Sequence, residues 1–97
     1  MTVVTKVITK VIIARYAEKQ LRKLPKYIVQ ALKSWAEAVE LRGIRETRKH
    51  SGYHDEPLKG DRFGQRSIRL NRSYRAIYKE SIEGLEIIII EVSKHEY

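Results

Sequence analysis

Residues 54–78, HDEPLKGDRFGQRSIRLNRSYRAIY, set His54, Asp55 and Glu56 beside Lys59, Arg62, Arg66, Arg69, Arg72 and Arg75. A cationic surface holds phosphate through charge-assisted hydrogen bonds, and each guanidinium can hold two oxygens. Imidazole and carboxylate move protons. These are the groups that cutting RNA without a metal requires. The chain ends in SKHEY, which adds the imidazole of His95 and the phenol of Tyr97.

The hairpin pattern arranges part of this set. If Asn71, Arg72 and Ser73 form the loop, Leu70 pairs with Tyr74, Ile68 with Ala76 and Arg69 with Arg75. One face then carries Ile68, Leu70, Tyr74, Ala76 and Tyr78, suited to pack on helices. The other carries Arg69 and Arg75 directly across from each other, with Lys79 nearby. Like charges there repel, and a phosphate between them relieves the repulsion. A bulge in the hairpin would spoil this register. His54 and Glu56 precede these strands, and His95 and Tyr97 follow the last one. Both clusters therefore reach the cationic face. The plainer reading is a solvated loop glutamate and frayed terminal side chains.

Composition narrows the chemistry. The formal net charge is +8, from 20 Lys and Arg against 12 Asp and Glu. That balance favours a polyanionic partner, or serves only as a solvated surface. There is no cysteine and only three histidines, without short ligand spacing, so zinc and other metal centres are not expected. No cofactor motif is present: no Gly-rich phosphate loop ends in Lys, and no Gly-x-Ser-x-Gly elbow occurs. The absence of cysteine fits the cytoplasm. No signal peptide is evident, and apolar runs such as Ile87 to Ile90 are far too short to span a bilayer. Basic amphipathic helices permit membrane adsorption, but Pro25 and the strands speak for a packed domain. Among loop aromatics, Tyr53 is the best candidate to stack on an RNA base.

These residues need a scaffold. Ninety-seven residues make one domain, 1–97. TVVTKVITKVII at the start has strand composition. Ala14 to Leu24 carries Ala17, Leu21 and Leu24 at helical spacing. Pro25 then breaks the helix and opens a second one, in which Ile28, Leu32, Trp35 and Val39 share one face and Gly43 lies past the end. Trp35 reads as core. Ile44 to Lys49 adds a helical turn, and the rest of 44–64 reads as a loop, long enough to suggest function. Strands follow at Gln65 to Leu70, Tyr74 to Lys79 and Leu85 to Val92. The order predicts an α+β fold: an N-terminal strand, an αα-hairpin, and strands forming a small, mainly antiparallel twisted sheet with helices on one face.

With these residues in view, the chain resembles toxins of the RelE/ParE superfamily, on their HigB-like side. The resemblance covers nearly the whole chain and rests on LRKLP at 21–25, HDEPLKG at 54–60, GQRSIRL at 64–70, YRAIY at 74–78 and SKHEY at 93–97. It implies a small RelE-like fold, a cognate antitoxin, and metal-independent cleavage of mRNA in the ribosomal A site. By resemblance, Arg75 steadies the scissile phosphate and Arg69 fills a basic strand position. Glu56 matches a general base, His54 a loop histidine used in other branches, and His95 a C-terminal catalytic residue. Tyr97, or Glu96 beside it, falls at the place of a terminal tyrosine. A second basic strand position falls on Ser67 here, a departure. The implied reaction is attack of a 2′-hydroxyl on the adjacent phosphate, with Glu56 or His54 as base and His95 as acid. Lys59, Arg62, Arg66 and Arg72 would hold RNA phosphates, with an affinity that drops with salt. The alternatives are a ParE-like protein that poisons DNA gyrase and a binding module with a dead site.

Overall fold

Isoleucine, valine and tyrosine recur in the runs Val11–Ile13, Tyr74–Tyr78 and Ile87–Val92, and each run lies in a strand of one sheet. The computed structural model describes residues 9–81 and 85–94. The elements are β1 (Lys10–Ile13), α1 (Arg15–Leu21), α2 (Lys26–Arg42), α3 (Ile44–Arg48), β2 (Glu56–Pro57), β3 (Gln65–Arg69), β4 (Tyr74–Ser81) and β5 (Glu86–Lys94). Short 3-10 turns occupy Ser51–Tyr53 and Gly60–Arg62. The strand order is β1-β5-β4-β3-β2. β1 runs parallel to β5, and the other pairs are antiparallel. The α+β fold with a mainly antiparallel sheet is as the sequence predicts.

The helices pack on one face. Ile28, Leu32, Trp35 and Val39 of α2 recur every three or four residues, and all are buried. They join Ala17 and Leu21 of α1 and Ile68, Ala76, Tyr78, Ile87, Ile89 and Val92 of the sheet in one core. Trp35 is fully buried and meets the Tyr78 ring at 5.2 Å between centroids. Helix α1 also finishes the sheet. β1 pairs with β5 only as far as Ile13 opposite Ile89, and beyond it the Gln20 amide oxygen accepts the Val92 N–H at 2.7 Å.

Several boundaries move. The predicted first strand survives as Lys10–Ile13, the rest of it lying outside the described residues. The first helix spans Arg15–Leu21 rather than 14–24. Pro25 stands just before α2 with ψ 146°, and its carbonyl accepts from Ile28 and Val29. The helical turn expected at Ile44 to Lys49 is α3, and the rest of 44–64, read as a loop, holds both 3-10 turns and β2, pieces too short to leave a periodicity.

The β3–β4 hairpin has the predicted register, Ile68 opposite Ala76 and Arg69 opposite Arg75. The Asn71 side-chain oxygen accepts from Ser73 N and Tyr74 N, each at 2.8 Å, which closes the loop. A bulge lies instead between β4 and β5, where Ile77 faces Glu91 and Tyr78 faces Ile89. Ile90 is the extra residue. It shifts parity, so Ile87 and Ile89 and then Val92 all enter the core.

Gly43 joins α2 to α3 at φ 86° and ψ 160°, a region essentially reserved for glycine. An added Cβ there meets nothing within 4 Å, so a substitution costs backbone strain alone. Gly43→Ala should lower stability by about 1–3 kcal/mol with no change in urea m-value, measured by equilibrium unfolding.

Candidate active site

The site begins with a carboxylate that the helices and the sheet enclose. Asp55 leaves only 1% of its side chain exposed. A buried carboxylate must be paired and hydrogen-bonded. Arg66 Nε donates to Asp55 Oδ1 at 2.6 Å, and Tyr78 Oη donates to Oδ2 at 2.6 Å. Arg48 approaches Oδ2 at 3.8 Å, donates to Tyr78 Oη at 3.2 Å, and pairs outward with Glu80. Burial pushes the Tyr78 phenol well above its usual value, and the Asp55 carboxylate adds to the rise. Burial also opposes the charge on Arg66, but the Asp55 hydrogen bond and charge outweigh it and raise its pKa.

This anchor fixes the residues on either side. His54 adopts a left-handed backbone, φ 44° and ψ 49°, which turns the chain so that Asp55 enters the interior. Glu56 emerges on the far side and pairs in β2 opposite Ser67. On the sheet face away from the helices, Arg75 reaches both neighbours. Its Nη2 donates to the His54 carbonyl at 3.3 Å and to Glu56 Oε1 at 3.4 Å. Nε lies on the same edge of the guanidinium, is buried, and has no partner among the described residues. Arg75 lines a shallow pocket of about 220 Å³ together with Ser67, Ile77, Ser93, Leu58 and Arg62. Arg62 is braced across this face, with Nη1 on Gln65 at 3.0 Å and Nη2 on Glu91 at 2.9 Å.

The architecture has solved counterparts. A chain of the toxin-antitoxin complex RelBE2 from Mycobacterium tuberculosis superposes with TM-score 0.68 at 24% identity, covering 92% of this chain and 100% of that one. YafQ from E. coli gives TM-score 0.72 at 15% identity, over 90% of this chain and 93% of that one. A chain of the archaeal RelE-RelB complex from Pyrococcus horikoshii gives TM-score 0.69 at 22% identity, over 90% and 94%. The chain has the RelE-like toxin fold. No family model matches the sequence, and no curated protein matches it.

On this RelE-like frame the sequence candidates divide. Arg75 and Glu56 come together, and the His54 backbone joins them while its side chain stays exposed. Arg69 lies across from Arg75 at the backbone but does not line the pocket. Arg62 forms its wall. Arg66 belongs to the other face: it pairs opposite Tyr78 and is committed to Asp55, so it is a structural cation rather than a phosphate ligand. Lys59 and Arg72 are exposed. His95 and Tyr97 lie outside the described residues. Tyr53, the stacking candidate, packs against the core and meets the His50 ring at 5.0 Å. Sequence reading missed Asp55 as the anchor and Ser93, which pairs opposite Arg75. Alternation along β5 assigns Ser93 a face only once the bulge is known.

Two measurements test the anchor. Asp55→Ala leaves Arg66 and the Tyr78 hydroxyl without their acceptor and should cost about 3–5 kcal/mol in equilibrium unfolding. Tyr78 holds its proton more tightly folded than unfolded. Stability should therefore fall as pH rises from about 10, the unfolded tyrosine value, toward the raised folded one. Tyr78→Phe should flatten that alkaline limb in unfolding measured across pH.

Proposed function

We propose that this chain is the toxin of a type II toxin–antitoxin system and that it cleaves mRNA on the ribosome by metal-independent chemistry. The observation that carries this reading is the half-satisfied guanidinium of Arg75. Its Nε and Nη2 form one fork, yet Glu56 and the His54 carbonyl touch only Nη2, at long range. A phosphate fits such a fork with two oxygens. The likeness to solved toxin–antitoxin structures supports the same reading, and a cognate antitoxin is its natural protein partner.

The reaction then runs as follows. The scissile phosphate takes the Arg75 fork and displaces the Glu56 carboxylate from it. Glu56, freed beside the phosphate, accepts the proton of the neighbouring 2′-hydroxyl. A 2′-O–P bond forms while the P–O5′ bond breaks. His95 donates a proton to the leaving 5′-oxygen. The product strand ends in a 2′,3′-cyclic phosphate. Arg75, with Arg69 nearby on β3, stabilises the charge that builds on phosphorus. Base duty falls to Glu56 rather than His54, because the carboxylate of Glu56 and only the backbone of His54 reach Arg75. Tyr97 stays a candidate at the chain end. Lys59 and Arg72 hold flanking phosphates, of mRNA or of ribosomal RNA.

The deciding experiment adds the protein to a purified translation system and maps mRNA ends by primer extension. New ends are expected with the wild type. Arg75→Ala and Glu56→Gln should each reduce cleavage by about two orders of magnitude or more, with circular dichroism unchanged. Intact mRNA beside inhibited gyrase supercoiling would assign the chain to the gyrase-poisoning class. Ribosome binding without cleavage would make it a binding module.

A further inference from the structure

We propose that Phe63 is a stacking platform for one base of the bound RNA, an assignment that rests on reading the Arg75 face as an RNA site. Phe63 is 88% exposed, more than any other large apolar side chain among the described residues. A phenyl ring this exposed does no work for the core.

Its setting distinguishes it from the other exposed apolar side chains. Tyr16, Tyr27 and Leu41 belong to α1 and α2, the helical side of the molecule. Phe63 sits instead on the turn before β3, one residue from Arg62, which walls the Arg75 pocket. The turn is braced from several directions. Leu58 N donates to the Gln65 carbonyl at 2.9 Å and Phe63 N to the Gly60 carbonyl at 3.0 Å. Arg62 ties the same turn to Gln65 and, across the sheet, to Glu91. Gly64 at φ 93° supplies the reversal into β3.

A rigid aromatic with two side-chain torsions loses little entropy when something stacks on it. Every base offers a π-face, so such a platform serves any sequence while cations beside it track the backbone. Lys59, Asp61 and Arg62 precede the ring on the same turn, and Arg62, Arg75 and Lys94 line the pocket beside it. A protein partner would be expected to meet an apolar cluster around its anchor. The surroundings here are charged, with Lys59, Arg62, Arg75 and Lys94 outnumbering Asp61 and Glu91, which favours a nucleotide with its phosphate in the pocket and its base on the ring.

The test uses the full-length protein and two short single-stranded oligonucleotides, a 2′-O-methylated RNA that resists cleavage and an abasic strand with the same number of phosphates. Affinities are read by fluorescence anisotropy at fixed salt. Phe63→Leu, which keeps an apolar side chain, should weaken binding of the RNA tenfold or more and leave the abasic strand unaffected. Phe63→Trp should retain affinity, and its indole emission should change when the RNA, but not the abasic strand, binds. Arg75→Ala should weaken both strands. Equal binding of the RNA by Phe63→Leu and wild type, with the Arg75→Ala loss intact, would overturn the stacking assignment alone and give the ring to a protein contact. An equal loss on both strands would make Phe63 a support of the turn and also overturn it. A wild type that binds neither strand yet cuts mRNA on the ribosome would overturn the stacking assignment alone, and one that does neither would overturn the RNA reading together with it.

Discussion

A single buried carboxylate organises the molecule. Asp55 is brought out of water between two guanidinium groups and a phenol, and the favourable contacts must offset the cost of that desolvation. Each partner comes from a different element: Arg48 from α3, Arg66 from β3, Tyr78 from β4. The carboxylate therefore joins helix, sheet and the connecting segment at one point. Tyr78 extends the joint inward, because the ring whose hydroxyl binds Asp55 also packs against Trp35 at the centre of the core.

The sheet consequently does two jobs on opposite faces. Toward the helices it is apolar, apart from the Asp55 cluster. Toward solvent it carries Arg75, Arg69, Ser93 and Glu91, arranged by the same hydrogen-bond ladders. Residue parity alone separates the two classes of arginine. Arg66 and Arg75 look alike in sequence, yet one locks the fold and the other faces the pocket.

Local order was legible in the sequence where it depends on near neighbours. The loop residues 71–73 announced the hairpin and hence Arg69 opposite Arg75. The spacing of Ile28, Leu32, Trp35 and Val39 announced the buried face of α2. What depends on distant pairing was not legible. Asp55 meets Tyr78 across 23 positions and Arg66 across 11, and no periodicity links them. Strand β2 has two residues, fewer than any alternation needs. The bulge hides within four identical isoleucines, where a slip of one residue leaves no trace in composition. Charge alone could not tell Arg66 from a phosphate ligand, because the signal that reassigns it is the buried acid beside it.

That bulge also divides β5 into two independently registered halves. The first takes its alignment from β1 and the core, and the second from the pocket, where Ser93 meets Arg75. A residue added or lost elsewhere in the strand would turn one end over, sending Glu91 inward and Val92 outward. At position 90 the ladder already holds one residue more than its partner. Removing that isoleucine would close the pairing without changing which way any neighbour faces. Chain length is thus negotiable at one point of this strand, and homologous sheets can differ there by a residue while keeping both the interior and the pocket.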